Sequence, residues 1–196
     1  QADTPQAART YGQVAVPSSF GAMVAAWGAP LLRSHARLGA LEEHLICVSL
    51  SGAAGTGRML GPDPAGLRAA LAEALGLHDP GASWHAERGR IAELAAWLVE
   101  VTRATGKLGE DMLRLTRSEV GELGLEVAGG SSTMPQKQNP VGPSVLVALA
   151  RVSAAQASVL TGALPGEARD GAAWFAEWLT LPQLVAACAK SLSVAA

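Results

Sequence analysis

At 196 residues the chain is long enough to bury a sizeable core within one domain. Apolar residues make up 49%, aromatics only 4%, and mean hydropathy is +0.22. The core must therefore come from Ala, Leu and Val, which suits close-packed helices better than a sheet. A net charge of −2 with no basic stripe argues against nucleic acid as a partner.

The polar residues 1–8 are expected to form a frayed end or a loop. The uncharged stretch from Thr10 to Leu32 is interrupted by Gln13, Pro17, Ser18, Ser19 and Pro30. It reads as a helix among helices rather than a membrane span. Ser18 or Ser19 is the candidate N-cap of the first helix. From there Phe20, Val24, Trp27, Leu31, Ser34, Leu38, Leu41, Leu45 and Val48 step alternately by four and three. That heptad seam predicts one long bundle helix, about 45 Å in length, kinked but not ended by Pro30.

Ser51-Gly52-Ala53-Ala54-Gly55-Thr56-Gly57 ends that helix. A Gly- and Pro-rich region follows, holding a short amphipathic helix from Pro64 to Leu75 and a turn at Asp79-Pro80-Gly81. Ser83 is the expected cap of the next helix. Its seam is Ile91, Leu94, Leu98, Val101, Thr105, Leu108, Met112 and Leu115, with the neighbouring charges, Arg117 included, on a solvated face. A third helix opens at Pro143 or Ser144 and places Val145, Leu149, Val152, Gln156 and Val159 on one face. It is nearly free of charge, so burial on several sides is expected. Residues 172–195 form a last helical region interrupted at Pro182. The long helices lack partners of adequate length in one chain, which predicts an oligomer. Cys47 and Cys188 lie in apolar helical patterns and read as small buried residues of a reducing, cytoplasmic compartment.

His35, His44, His78 and His85 show no metal-ligand spacing. Phosphate-binding glycine motifs and the nucleophile elbow are also missing from the sequence. What stands out is Gly129-Gly130-Ser131-Ser132-Thr133-Met134-Pro135-Gln136-Lys137-Gln138-Asn139-Pro140. The glycines free the backbone, successive amides can form an anion-holding nest, and Lys137 and Asn139 add a cation and an amide. Pro135 and Pro140 stiffen the exit. These features describe either a mobile loop that closes on an anion or a plain surface connection.

The run resembles the signature loop of the fumarase/aspartase superfamily, Gly-Ser-Ser-x-Met-Pro-x-Lys-x-Asn-Pro. Arg9-Thr10-Tyr11-Gly12-Gln13 is similar to that superfamily's Arg-Thr-His-Gly-Gln, with Tyr11 in place of the histidine. Trp84-His85-x-x-Arg88, Gly106-Lys107, Glu119-x-x-Glu122 and the run from Arg169 to Pro182 resemble the 3-carboxy-cis,cis-muconate cycloisomerase branch.

The resemblance implies an all-α, long-helix bundle, with residues 1–196 as the central domain of a longer chain lacking its N- and C-terminal parts. It implies reversible lactone formation from a small polycarboxylate, without a cofactor or metal. It also implies a cytoplasmic homotetramer whose active sites are shared between subunits, with no nucleic-acid or membrane partner. The alternatives are a sibling lyase releasing fumarate, similar to adenylosuccinate lyase, or an inactive helical scaffold. On this resemblance Ser131 is the general acid/base, and Lys137 and Asn139 hold a substrate carboxylate. Ser132 and Met134 shape the loop, Thr10 and Gln13 bind substrate, and Thr56 touches it unless it only ends a helix. Tyr11 is a hydrogen-bond donor at the site or a buried packing tyrosine. A tyrosine titrates near pH ~10, far above histidine, so it is the poorer proton shuttle. Lactone formation needs less of one, because the attacking group is the substrate's own ionised carboxylate.

Overall fold

The computed structural model describes residues 1–126, 128–134, 136–163 and 165–196. The chain runs β1 (Pro5–Thr10), β2 (Gln13–Ser19), α1 (Phe20–Ala36), α2 (Leu38–Leu45), α3 (Pro64–Leu75), α4 (Gly89–Leu115), α5 (Val141–Gly162) and α6 (Gly171–Ala195). The three longest helices, α4, α5 and α6, pack on one another, and α1 lies against α4. They thus supply one another's partners, contrary to the sequence expectation. The all-α, long-helix bundle is as expected, with one added hairpin.

That hairpin replaces the frayed start. β1 and β2 pair antiparallel, Thr10 opposite Gln13, and Tyr11 and Gly12 form the two-residue turn with φ of 52° and 77°. Both values lie in the left-handed region, as a type I′ turn requires. No period-2 burial betrays these strands, because every residue from Gln13 to Ser18 is exposed. The uncharged stretch beginning at Thr10 is thus mostly hairpin before it becomes helix.

The Ser19 hydroxyl caps α1, accepting from the Ala22 amide at 3.2 Å. Pro30 stays inside α1, and the break comes instead at Arg37. It is slight: the Arg37 amide still reaches the Arg33 carbonyl, and Leu41 reaches Arg37, each at 3.2 Å. α3 has the predicted bounds and is capped by Asp63, which accepts from the Gly66 amide at 2.9 Å. Ser83 does not cap α4, whose N-cap is Arg88. Residues 83–88 have another task. The Trp84 indole donates to the Val48 carbonyl at 3.0 Å, and Arg88 makes a two-bonded ion pair with Glu177 of α6.

The core gathers Ala95, Leu98 and Val101 of α4, Ala157 and Leu160 of α5, and Leu184 and Cys188 of α6. Burial pushes the Cys188 thiol above its ordinary range. Cys47 lies not in a helix but in an isolated bridge to His78, its sulfur contacted by Arg90 at 3.1 Å. Two tryptophans pin α1 to α4: Trp27 donates to Asp111 at 2.8 Å, and Trp97 to the Ser34 carbonyl at 2.9 Å.

α4 and α5 approach closely because glycine sits at the crossing. A Cβ at Gly109 would lie 2.6 Å from the Pro143 carbonyl oxygen and 2.9 Å from the Leu146 Cβ. Gly109→Ala gains up to about 1 kcal/mol in helix propensity but forces α5 outward. A net loss of about 1–3 kcal/mol is expected in urea unfolding.

The buried face of α5 is Pro143, Leu146, Ser153, Ala157 and Leu160, not the face expected from sequence. Val152 and Val159 are exposed, as are Phe175, Trp178, Leu179 and Val185 on α6. A helix apolar all round carries no periodicity to say which side meets its neighbours. Burial on one side only leaves α5 with an open apolar flank. It is the single described helix long and apolar enough to cross a membrane. α6 continues unbroken through Pro182.

Candidate active site

The segment between α4 and α5 begins where α4 ends. The Leu115 carbonyl accepts from the amides of Glu122 and Leu123 at 3.0 and 3.2 Å, which turns the chain back on the helix. Beyond it, Gly129 and Asn139 exchange two backbone hydrogen bonds of 2.9 Å and close a loop between them. A Cβ at Gly129 would lie 2.6 Å from Val141 Cγ2, so a larger residue there requires the Val141 side chain to turn away. Asn139 Nδ2 donates to the Gly130 carbonyl at 3.3 Å, and the Lys137 amide to the Met134 carbonyl at 2.9 Å. Pro135 lies outside the described residues.

Inside this loop the Ser131 hydroxyl is half-buried and accepts from the Met134 amide at 3.2 Å. An amide donor at that oxygen favours an alkoxide over the neutral alcohol. Closing the loop occupies the amides of Gly129, Met134, Lys137 and Asn139. Among the described residues, those of Gly130, Ser131, Ser132 and Thr133 have no partner within the chain. An anion-holding nest in this loop would have to be built from these amides.

Met134, Lys137 and Asn139 line a cleft of about 720 Å³ together with Leu113, Thr116 and Arg117 from the end of α4. Arg117 and Lys137 are its cations and Glu119 its carboxylate, and none of the three makes an ion pair among the described residues. Sequence reasoning missed Arg117, which it placed with the solvated charges. The only available signal was its position just before Glu119. Ser131 and Ser132 belong to the loop but not to the wall of this cleft.

The hairpin borders a different cleft, of about 670 Å³, walled by Gln6, Arg9, Tyr11 and Met23 against Lys107, Asp111 and Arg114 of α4. Tyr11 is fully exposed at the turn, so it is not a packing residue within this chain. Thr10 and Gln13 flank it and are exposed. Thr56 is exposed beyond α2 and lines neither cleft. One chain therefore brings Met134, Lys137 and Asn139 together beside Ser131. It does not bring Thr10, Tyr11, Gln13 or Thr56 to the same cleft. His35 and His44 are exposed, and no metal-binding group occurs among the described residues.

A family model described as lyase matches residues 1–153. The chain belongs to the lyase family. Its bundle and its loop are those of the fumarase/aspartase superfamily. The 3-carboxy-cis,cis-muconate cycloisomerase of Pseudomonas aeruginosa is 42% identical over 99% of this chain and 43% of its own length. The enzyme of that name from Pseudomonas putida is 40% identical over 93% of this chain and 44% of its own length. A crystal structure of the 3-carboxy-cis,cis-muconate lactonizing enzyme from Pseudomonas putida superposes with a TM-score of 0.89 and 35% identity. It covers 99% of this chain and 43% of that one. The chain thus spans less than half the length of these lyase-family relatives.

Proposed function

We propose that this chain is the central helical-bundle part of a cytoplasmic cycloisomerase. It interconverts 3-carboxy-cis,cis-muconate and a carboxymuconolactone, an intramolecular lyase step of aromatic-acid breakdown. The observation that carries the reading is the Gly129–Asn139 loop. It offers a hydroxyl held by an amide, further open amides, and two cations in the adjoining cleft. A ligand with several carboxylates suits that arrangement.

In the forward direction a substrate carboxylate oxygen adds to the ring-closing carbon of the double bond. The electron pair moves onto the neighbouring carbon and its carboxylate, giving an aci-carboxylate dianion. Ser131 delivers a proton to that carbon and its alkoxide is then reprotonated from solvent; in the reverse direction the alkoxide removes the carbon-bound proton and releases it to solvent. No atom leaves and no oxidant is needed, so no cofactor or metal is called for. Lys137 and Asn139 hold the carboxylate on which charge accumulates, while Ser132 and Met134 shape the loop. Thr10, Gln13 and Thr56 are substrate contacts, and Tyr11 donates a hydrogen bond to a carboxylate. Because the hairpin and the loop border separate clefts, we assign these contacts to neighbouring subunits of a homotetramer. The open apolar flanks of α5 and α6 suit burial between copies.

Ultraviolet spectroscopy tests the reaction. The intact protein is expected to remove the conjugated-diene absorbance of 3-carboxy-cis,cis-muconate without forming fumarate. Unchanged absorbance, or fumarate released from a succinyl-substituted substrate, overturns the assignment.

A further inference from the structure

Glu122 joins two parts of the fold that touch little otherwise. Its backbone is fixed to the end of α4: its amide donates to the Leu115 carbonyl, and the Val120 and Gly121 amides before it donate to Arg117. Its carboxylate reaches the hairpin. Arg9 Nη1 donates to Oε2 at 3.0 Å, Arg9 Nη2 donates to Oε1, and Gln6 Nε2 donates to Oε2 at 3.3 Å. Among the described residues, Glu122 accepts every side-chain hydrogen bond that leaves β1 for the helical body. The guanidinium bond holds the Glu122 carboxyl below its ordinary range and raises Arg9, as a formed ion pair should.

Elsewhere the hairpin stands off the helices. At its base the Phe20 and Gly21 amides donate to Thr4 and Ala2 at 2.9 Å. Between hairpin and α4 lies the 670 Å³ cleft rather than packed side chains. The hairpin is thus a lever, pinned at its base by backbone bonds and farther along by one carboxylate. Thr10, Tyr11, Gly12 and Gln13 lie just beyond the second pin.

We propose that Glu122 is a positioning residue, which sets where the hairpin tip presents Thr10, Tyr11 and Gln13 to substrate. An ion pair with both side chains about a quarter exposed contributes little to stability. What it fixes is the direction of an otherwise unsupported turn. The proposal rests on the reading above that the tip meets substrate.

The test is Glu122→Ala in the intact protein, compared with the exchanged pair Arg9→Glu, Glu122→Arg. The single variant is expected to raise KM about fivefold, the upper value for an exposed ion pair, with kcat little changed. Amide exchange in residues 5–13 is expected to quicken while α4 stays protected. The exchanged pair should return both readouts toward the starting protein; the rise in KM at unchanged kcat is the readout a merely structural role would not move. Unchanged hairpin exchange in Glu122→Ala overturns the proposal, as does failure of the exchanged pair to restore either readout. Faster hairpin exchange with unchanged KM leaves the pin in place but removes the tip from substrate binding, and so overturns that part of the proposed function.

Discussion

Ser131→Ala is expected to lower kcat by about 10²–10⁴-fold, the usual contribution of a general acid/base, with the assembly intact. Among the described residues the Ser131 hydroxyl has one hydrogen-bond partner to lose, the Met134 amide at 3.2 Å, and it lies on an exposed loop rather than in the core. Removing it leaves the Gly129–Asn139 pair and the Lys137 turn to hold the loop's shape. The effect should therefore appear in kcat far more than in stability. Steady-state rates and sedimentation of the variant check both halves. Near-normal turnover would take the serine out of its assigned role.

Glu177→Ala is expected to destabilise the protein by about 3–5 kcal/mol, because it strands a guanidinium in the interior. The Glu177 side chain is 5% exposed and Arg88 14%, so water screens neither well. Arg88 also lies over the Trp84 ring at 5.2 Å, and Trp84 in turn holds the Val48 carbonyl. One truncation thus loosens α6, the start of α4 and the strand-like segment after α2 together. Replacing both partners, Arg88→Met with Glu177→Leu, should recover most of the loss in urea unfolding, since no charge is then left unpaired. A single variant as stable as the parent would show that the pair lies open to water.

Much of the secondary structure follows from residue spacing alone. α3 has the bounds expected from its short amphipathic pattern, and the structure shows why: Asp63 caps its start, Pro64 opens it and Gly76 in the left-handed region ends it. α4 was legible because Leu94, Leu98, Val101, Thr105 and Leu115 repeat at heptad steps beside charged neighbours. The loop was legible for another reason. Its glycines, serines, Lys137 and Asn139 have little use as a group in a helix, so the run reads as a loop, and its match to the superfamily's signature is what points to chemistry.

Other features were not legible, each for a physical cause. The hairpin from Pro5 to Ser19 buries no alternate side chains, and its turn uses Tyr11 rather than the usual Asn or Asp. α5 is apolar on every side, so its pattern could not choose Leu146 and Leu160 over Val152 and Val159. Pro182 suggested a break that α6 does not make, because packing against α4 and α5 supports the helix through it. Ser83 suggested a cap, but Trp84 and Arg88 bind distant partners and delay the start of α4.

The sequence by itself determined the helical class and the family loop. Those depend on local spacing and on residue types that sit next to each other along the chain. Only the tertiary structure decided which face of α5 is inside, that Arg117 joins Lys137 at one cleft, and that Glu122 grips Gln6 and Arg9 from more than a hundred residues away. Those outcomes depend on how closely helices can approach at Gly106 and Gly109 and on where α4 ends, and no local pattern encodes either.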